Sequence, residues 1–290
     1  MTDQPAGSPN AREIEYWNSA ATRSWAERNE PIDRLFAEVT RIVLDLASPQ
    51  PGERVIDIGC GSGTTVLALA ERVGPGGGVL GADISKQSVA RANERIAAAG
   101  LTQAKVILAD ASTHQFEPSS FDLLFSRFGV MFFSDPAATF TSLRKALKPG
   151  GRLAVAVFRT ARENRWAREP AVSLGDLLPP QPLPGPEEPG QFSWADPARV
   201  KRILETAGFR DVSLTPFDLD MRLSSAGGAG AAAEAASFAM LIGPVVRATL
   251  NASPEQRQTV RAGLETYFRG VEGPQGVIMP GAIWIVRAKA

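Results

Sequence analysis

The stretch RVIDIGCGSGTT, residues 54–65, passes from a β-branched apolar segment into a turn holding Gly59, Gly61 and Gly63, then into residues of helical spacing. Val and Ile in a short run favour an extended strand, and an apolar run without alternation implies cover on both faces of a sheet. Glycines lack Cβ atoms, so the turn can take unusual dihedrals and a ligand can lie against its backbone amides. A turn between a strand and the following helix lies at the carboxyl edge of a parallel sheet, where such sheets bind ligands.

The same change of period continues along the chain. GGGVLGADIS (76–85) reads as a strand, KQSVARANERIAAAG (86–100) as a helix closed by Gly100, and AKVILAD (104–110) as a third strand. SFDLLFSRF (120–128), DPAATFTSLRKALKPGG (135–151) and RLAVAVF (152–158) continue as strand, helix and strand, with Pro149-Gly150-Gly151 expected to stop the helix. Strands alternating with helices predict a doubly wound α/β sheet. Beyond Arg159 the rhythm breaks into a proline-rich stretch, which reads as a linker or cap with no strand or long helix. DPARVKRILETAGF (196–209) is a helix capped by Asp196, RDVSLTPFDLDMRL (210–223) a sixth strand, SPEQRQTVRAGLETYFRG (253–270) an amphipathic helix and GAIWIVRAKA (281–290) a last strand. The predicted organisation is an N-terminal helical lid (1–50), a ligand-binding core (51–160), a proline-rich cap insertion (161–196), and a C-terminal part of the sheet (197–290) with a helical insertion at 225–272.

The 290 residues can bury a full core. Thirty-one basic against thirty-one acidic residues leave no net charge, which gives no support to a nucleic acid or an anionic membrane as partner. A small-molecule acceptor is the expected partner, and the sequence is compatible with a homodimer. The single cysteine, Cys60, excludes internal disulfides and a multi-thiolate metal site, in keeping with a cytoplasmic location. No apolar run reaches the roughly 18 residues a membrane span needs, and no metal site is expected.

Asp83, about 20 residues past the turn at the end of the second strand, is placed to accept from two ribose hydroxyls, so the expected ligand is a nucleoside. A dinucleotide fold would use a similar turn, but its G-x-G-x-x-G/A pattern is matched poorly, and Asp57 inside the strand would repel a pyrophosphate. A carboxylate there could orient the turn amides or meet an ammonium group.

Taken together, VIDIGCGSG (55–63), GADIS (81–85), LADAS (108–112), FDLLFSRFGVMF (121–132) and LRKALKPGGRLAVAVF (143–158) resemble the five successive motifs of class I S-adenosylmethionine-dependent methyltransferases. Among subgroups they are most similar to ubiquinone/menaquinone-biosynthesis-like, small-molecule enzymes. The resemblance implies a Rossmann-like, seven-stranded, mostly parallel sheet with an antiparallel last strand and a helical or irregular substrate cap. It also implies S-adenosylmethionine as cofactor and S-adenosylhomocysteine as product. By the same resemblance Gly59, Cys60 and Gly61 would contact the methionine end of the cofactor and Asp57 would lie near its ammonium. Asp83 would hold the ribose, Ile84 would pack on the adenine, Asp110 and Ala111 would meet the adenine edge, and Ser126 would offer its carbonyl to the amine. Trp25, with Tyr16 and Trp17, would close over the cofactor.

For the acceptor, Arg127, Phe128 and Met131 follow the fourth strand, and Trp166, Phe192 and Trp194 lie in the cap. Arg127 could bind a carboxylate or phosphate of the acceptor or pair with an acid of the protein's own loops; for the apolar residues an acceptor pocket is one reading, and plain core packing is the other. Phe132 and Phe133 share the apolar segment. His114, the only histidine, could act as a general base or merely hold its loop, and Tyr16 could reach the reacting groups or only water. The expected activity is methyl transfer to an apolar acceptor at carbon, oxygen or nitrogen. The rivals are a non-catalytic nucleoside-binding module and a nicotinamide-dependent oxidoreductase.

Overall fold

The computed structural model describes residues 8–179, 185, 187–225, 227–228 and 230–290. The remaining parts of the expected lid and cap, 1–7, 180–184 and 186, lie outside the described residues, as do 226 and 229 of the expected helical insertion.

Seven strands form one sheet in the order β3-β2-β1-β4-β5-β7-β6: β1 Arg54–Ile58, β2 Gly78–Asp83, β3 Ala104–Leu108, β4 Phe121–Arg127, β5 Leu147–Phe158, β6 Arg210–Arg222 and β7 Ile278–Lys289. Pairs β1–β2, β2–β3, β1–β4 and β4–β5 are parallel, whereas β7 runs antiparallel to both β5 and β6. The last strand in sequence therefore inserts between β5 and β6, with Ala156 opposite Ile285 and Val155 opposite Val286. Buried strand residues such as Val55, Ile56, Leu123, Leu124, Val155 and Ile285 explain the continuous apolar runs, since both faces are covered.

Four helices precede the sheet: α1 Ala11–Trp17, α2 Arg23–Glu27, α3 Asn29–Leu35 and α4 Ala37–Ala47. α5 Thr64–Val73 and α6 Lys86–Ala98 connect β1, β2 and β3, and α7 Pro136–Ala146 connects β4 to β5. Because such crossovers are right-handed, α5 and α6, stepping one way along the sheet, cover one face and α7, stepping the other way, covers the opposite face. The direction reverses between β1 and β4, and a crevice opens there at the carboxyl ends of the strands. α8 Arg165–Ser173, α9 Pro197–Thr206, α10 Ala231–Ala239, α11 Pro244–Ala248 and α12 Pro254–Arg269 complete the fold. Ser253 and Gln256 close α12 with a reciprocal capping box.

One segment differs from the sequence expectation. The helix expected over 135–151 stops at Ala146, and Leu147, already extended at ψ 141°, begins β5 by pairing with Phe121. Pro149 disfavours a helical Lys148, so the chain enters the sheet before the glycines. The proline-rich stretch carries the short helix α8, in keeping with the expected helical or irregular cap, with Pro170 inside it. Trp166, Ala167 and Pro170 form its buried face, and that burial outweighs a missing backbone donor.

Candidate active site at the carboxyl edge

The three turn glycines have positive φ, 66° at Gly59, 54° at Gly61 and 83° at Gly63, and they serve different ends. A Cβ on Gly59 would sit 2.5 Å from the Gly129 Cα, and one on Gly63 would sit 2.9 Å from the Ala92 Cβ. These two are glycines because other parts of the chain press against them. A Cβ on Gly61 would meet nothing within 4 Å, so this position alone opens onto free space at the mouth of the crevice. The Cys60 side chain turns the other way: it is buried, and its Sγ lies where a Cβ on Gly81 would come to 2.7 Å. Burial pushes the thiol pKa up, so this side chain packs beneath the turn and offers no thiolate to a ligand.

Asp83 stands at the end of β2. One of its oxygens accepts from the Gly61 amide at 2.8 Å and the other from the Ser85 amide at 2.8 Å, which ties the open glycine to the second strand. Each oxygen keeps a further acceptor position, which matches a vicinal diol. Burial raises the Asp83 pKa, while the Ser85, Gly61 and Ile84 amides pull it down. Asp57 is fully buried in β1. Its Oδ2 accepts from Thr65 Oγ1 at 2.5 Å, and its Oδ1 has no partner. It does not orient the turn amides: the Gly59 amide donates to the Ala82 carbonyl instead. Burial raises the Asp57 carboxyl to about 7, opposed by the Thr65 hydroxyl and the Arg127 guanidinium. An unpaired carboxylate oxygen in such a place is costly unless a donor or a cation meets it. Fold and donor set therefore fit a nucleoside with a cationic amino-acid arm.

Asp110 is engaged in a way the sequence does not indicate. Its Oδ1 accepts from Asn10 Nδ2, Ser112 N and Ser112 Oγ at 3.1, 2.9 and 2.8 Å, and its Oδ2 accepts from Ser8 Oγ at 2.6 Å. One acceptor position remains on Oδ2, so an adenine amino group there would share Asp110 with the N-terminal segment. Ala111 beside it is buried. Ile84 is half-buried, and its carbonyl accepts from Asn18 Nδ2 at 2.9 Å. Asn18 Oδ1 in turn takes the Lys86 amide. Asn10 Oδ1 accepts from the Ser134 amide, and the Pro9 carbonyl accepts from Ser134 Oγ. α1 thus crosses the crevice from the loops after β3 and β4 to the loop after β2. Its neighbour α2 is fastened to the glycine turn where Ser62 Oγ donates to the Trp25 carbonyl at 2.8 Å.

At the end of β4, Ser126 is fully buried; its hydroxyl donates to the Ile58 carbonyl at 2.7 Å and accepts from the Gly129 amide, joining β4 to the glycine turn. Arg127 faces inward. It donates to Thr40 Oγ1 at 2.7 Å, approaches Asp33 at 4.0 Å and lies 5.7 Å from the centre of the Phe36 ring. These partners make it part of a protein network with Arg95 and Thr64, both bonded to Asp33. Phe128 holds φ 69°, a conformation that costs a non-glycine residue about 1 kcal/mol, and its ring stacks on Phe158 at 4.0 Å. Phe36 packs edge-on to Phe128, and Trp17 packs edge-on to both Phe132 and Trp25. Trp166 packs on Phe158 and Phe36 with its indole N–H donating to Asn164 Oδ1, and Phe192 packs edge-on to Phe158. An aromatic wall therefore rises over the carboxyl edge.

Several sequence candidates stand away from this wall. Met131 is buried, and its carbonyl anchors the cap by accepting from the Gly190 amide and Ser193 Oγ. Trp194 is 1% exposed against Phe140 of α7, in the core and outside the crevice. His114 is exposed, its ring 4.6 Å from Phe116 in a surface cleft with Arg54, Leu80 and Lys105. The His114 amide donates to the Asp110 carbonyl at 2.8 Å, while its ring faces this cleft, whose lining includes Arg54 at the start of β1. Tyr16 is half-buried on α1 beneath the Arg247 guanidinium of α11, 4.2 Å from its ring centre. Sequence reasoning passed over Ser8, Asn10, Asn18, Asp33 and Glu13. All lie before the motif region, Glu13 and Asp33 in helices and Ser8, Asn10 and Asn18 just outside α1, where periodicity carries no sign of what they would touch.

Comparison with known proteins agrees with this geometry. Residues 49–208 match a family model described as a methyltransferase domain. The chain is 31% identical to nocamycin O-methyltransferase of Saccharothrix syringae over 199 residues, covering 66% of this chain and 71% of that protein. It is 33% identical to aklanonic acid methyltransferase DauC of Streptomyces sp. (strain C5) over 142 residues, covering 48% and 64%. Among solved structures, Haemonchus contortus phosphoethanolamine N-methyltransferase 2 in complex with S-adenosyl-L-methionine has a similar fold, with a TM-score of 0.54 at 18% identity over 89% of this chain and 56% of that one. With the glycine turn, its acids and this match in hand, the chain belongs to the methyltransferase-domain family, within the class I S-adenosylmethionine-dependent enzymes.

Proposed function

We propose that this methyltransferase binds S-adenosylmethionine at the carboxyl edge of β1, β2 and β3 and delivers its methyl group to a flat, apolar small molecule held between the aromatic wall and α1. The observation that carries the reading is the pairing of Gly61, open to the crevice, with Asp83, bonded to its amide and keeping acceptor positions on both oxygens. Gly61 would lie under the cofactor, Asp83 would hold its ribose hydroxyls, and the unpaired Asp57 oxygen would meet its amino group. Bound there, the cofactor supplies an electrophilic methyl group on a sulfonium. The chain orients the acceptor against it and keeps water out with Trp17, Phe132 and Phe128. The name of one relative, nocamycin O-methyltransferase, favours an oxygen acceptor. In this reading residues 1–50 form the lid, 51–160 the cofactor-binding core, 161–196 the cap, and 197–290 the remainder of the sheet with its helical insertion. No helix among the described residues is long and apolar enough to cross a membrane, and we place the enzyme's work in the cytoplasm.

Calorimetric titration with S-adenosylhomocysteine tests this. Removing the carboxylate in Asp83→Ala takes away two ligand hydrogen bonds to a charged group, each worth roughly 1.5–3 kcal/mol, so affinity should fall at least about a hundredfold. Binding of NAD(H) with none of S-adenosylhomocysteine would overturn the proposal in favour of an oxidoreductase.

A further inference from the structure

Among the described residues, four buried side-chain nitrogen or oxygen atoms lack a hydrogen-bond partner, and two of them are carboxylate oxygens: Asp57 Oδ1 and Glu13 Oε2. Asp57 lies in the strand beneath the glycine turn, whereas Glu13 lies in α1, which crosses above it. Glu13 precedes Trp17 by one helical turn, so the two share a face of α1. Trp17 packs at 5.4 Å on Phe132, just past β4, and at 5.8 Å on Trp25, whose carbonyl holds the glycine turn. Glu13 thereby lies on the face of α1 that carries Trp17, beside the aromatic wall.

Native proteins rarely leave a buried carboxylate oxygen unpaired, because such an atom forfeits its hydration. The charged groups that face Glu13 are few. Arg12 lies on its own helix, and Arg247 of α11 lies over Tyr16. Burial raises the Glu13 pKa, while the Arg247 charge, a hydrogen bond from the Trp17 side chain to the carboxyl and the Arg12 charge draw it partly back, and Oε2 is left without a close partner. A carboxylate so placed can take a proton near neutral pH more readily than an exposed one. The two candidates singled out by residue type do not compete for the role, since the His114 ring faces a surface cleft and Tyr16 is covered by Arg247.

Building on the proposed methyl transfer, we infer that Glu13 is the general base that accepts the acidic hydroxyl proton of a phenolic or enolic acceptor. The aromatic wall suits a flat ring, and the positive charge of Arg247 near Glu13 disfavours a cationic amine. In the step, a lone pair of the acceptor oxygen forms the new carbon–oxygen bond while the methyl carbon–sulfur bond breaks. That bonding pair stays on sulfur as a neutral thioether, and the hydroxyl proton passes to Glu13 Oε2.

The test uses the full-length protein, wild type and Glu13→Gln, with Glu13→Asp as a conservative variant. Carbon-13 NMR of labelled glutamate carboxyls in the cofactor-free protein, assigned by loss of one resonance in Glu13→Gln, should show a Glu13 carboxyl titrating above the ordinary glutamate range. Methyl-labelled S-adenosylmethionine is then supplied with a panel of phenols and enols. For the acceptor that the wild type methylates, Glu13→Gln should lower kcat at least tenfold and remove the acidic limb of its pH profile, with S-adenosylhomocysteine affinity unchanged and Glu13→Asp partly active. An ordinary glutamate titration, an unaltered pH profile in Glu13→Gln, or no phenol or enol methylated by the wild type would each overturn the inference. A wild type that fails to bind S-adenosylhomocysteine would instead overturn the cofactor reading on which it rests.

Discussion

Replacing Gly61 and Gly59 separately by alanine divides the glycine turn into its ligand-facing and packing-facing halves. At Gly61 the backbone has φ 54°, close to ideal left-handed geometry, and an added methyl group meets no protein atom within 4 Å. The cost to folding is then the dihedral term alone, about 1–2 kcal/mol for an L-residue. For a chain of this size that lowers Tm by roughly 2–8 °C. The methyl group would, however, enter the space proposed for the cofactor. An overlap of that size in a close-fitting site costs about 1–3 kcal/mol, so S-adenosylhomocysteine should bind roughly tenfold to a hundredfold more weakly. At Gly59 the methyl group would lie 2.5 Å from the Gly129 Cα, a backbone atom that cannot rotate aside. The dihedral and overpacking costs then add to about 2–5 kcal/mol of lost stability. Thermal unfolding and calorimetric titration of both variants separate the effects. Gly61→Ala binding S-adenosylhomocysteine as the wild type does would refute a cofactor above Gly61. Gly59→Ala unfolding at the wild-type temperature would refute the packing argument.

Three further outcomes follow from the same structure. In the cofactor-free protein, Asp57 holds a carboxyl raised to about 7 against an ordinary value near 4, so its contribution to stability is complete below about pH 4 and lost as pH rises through 7. Asp57→Asn should therefore gain stability relative to the wild type across that window in urea melts while binding S-adenosylhomocysteine more weakly, and parallel stability curves would contradict the assignment. Trp194→Ala, emptying a fully buried site against Phe140, should cost about 3–5 kcal/mol in urea unfolding. His114→Ala should leave both S-adenosylhomocysteine affinity and methyl transfer at wild-type levels, because the ring lies in a surface cleft with Arg54 and Lys105.

The fold was readable because its signals are local. Apolar runs such as residues 55–58 and 153–158 declare strands buried on both faces, and the glycines and caps between them mark where each crossover begins and ends. The position of Asp83 beside the glycine turn was readable for the same reason, since a short fixed path joins the two. One local reading gave way to packing: residues 147–151 enter β5 early because Leu147 pairs with Phe121.

What tertiary structure alone decided are contacts between residues far apart in sequence. Gly59 must be glycine on account of Gly129, and Gly63 on account of Ala92. Asp110 is shared with Ser8 and Asn10, Arg127 is turned toward Asp33 and Thr40, and Glu13 is carried above the crevice by a helix whose ends are pinned at Ser134 and Ile84. Periodicity reports which face of an element is apolar, because that depends only on the spacing of its own residues. It does not report what that face will meet, because the partner is chosen when the whole chain closes around one core.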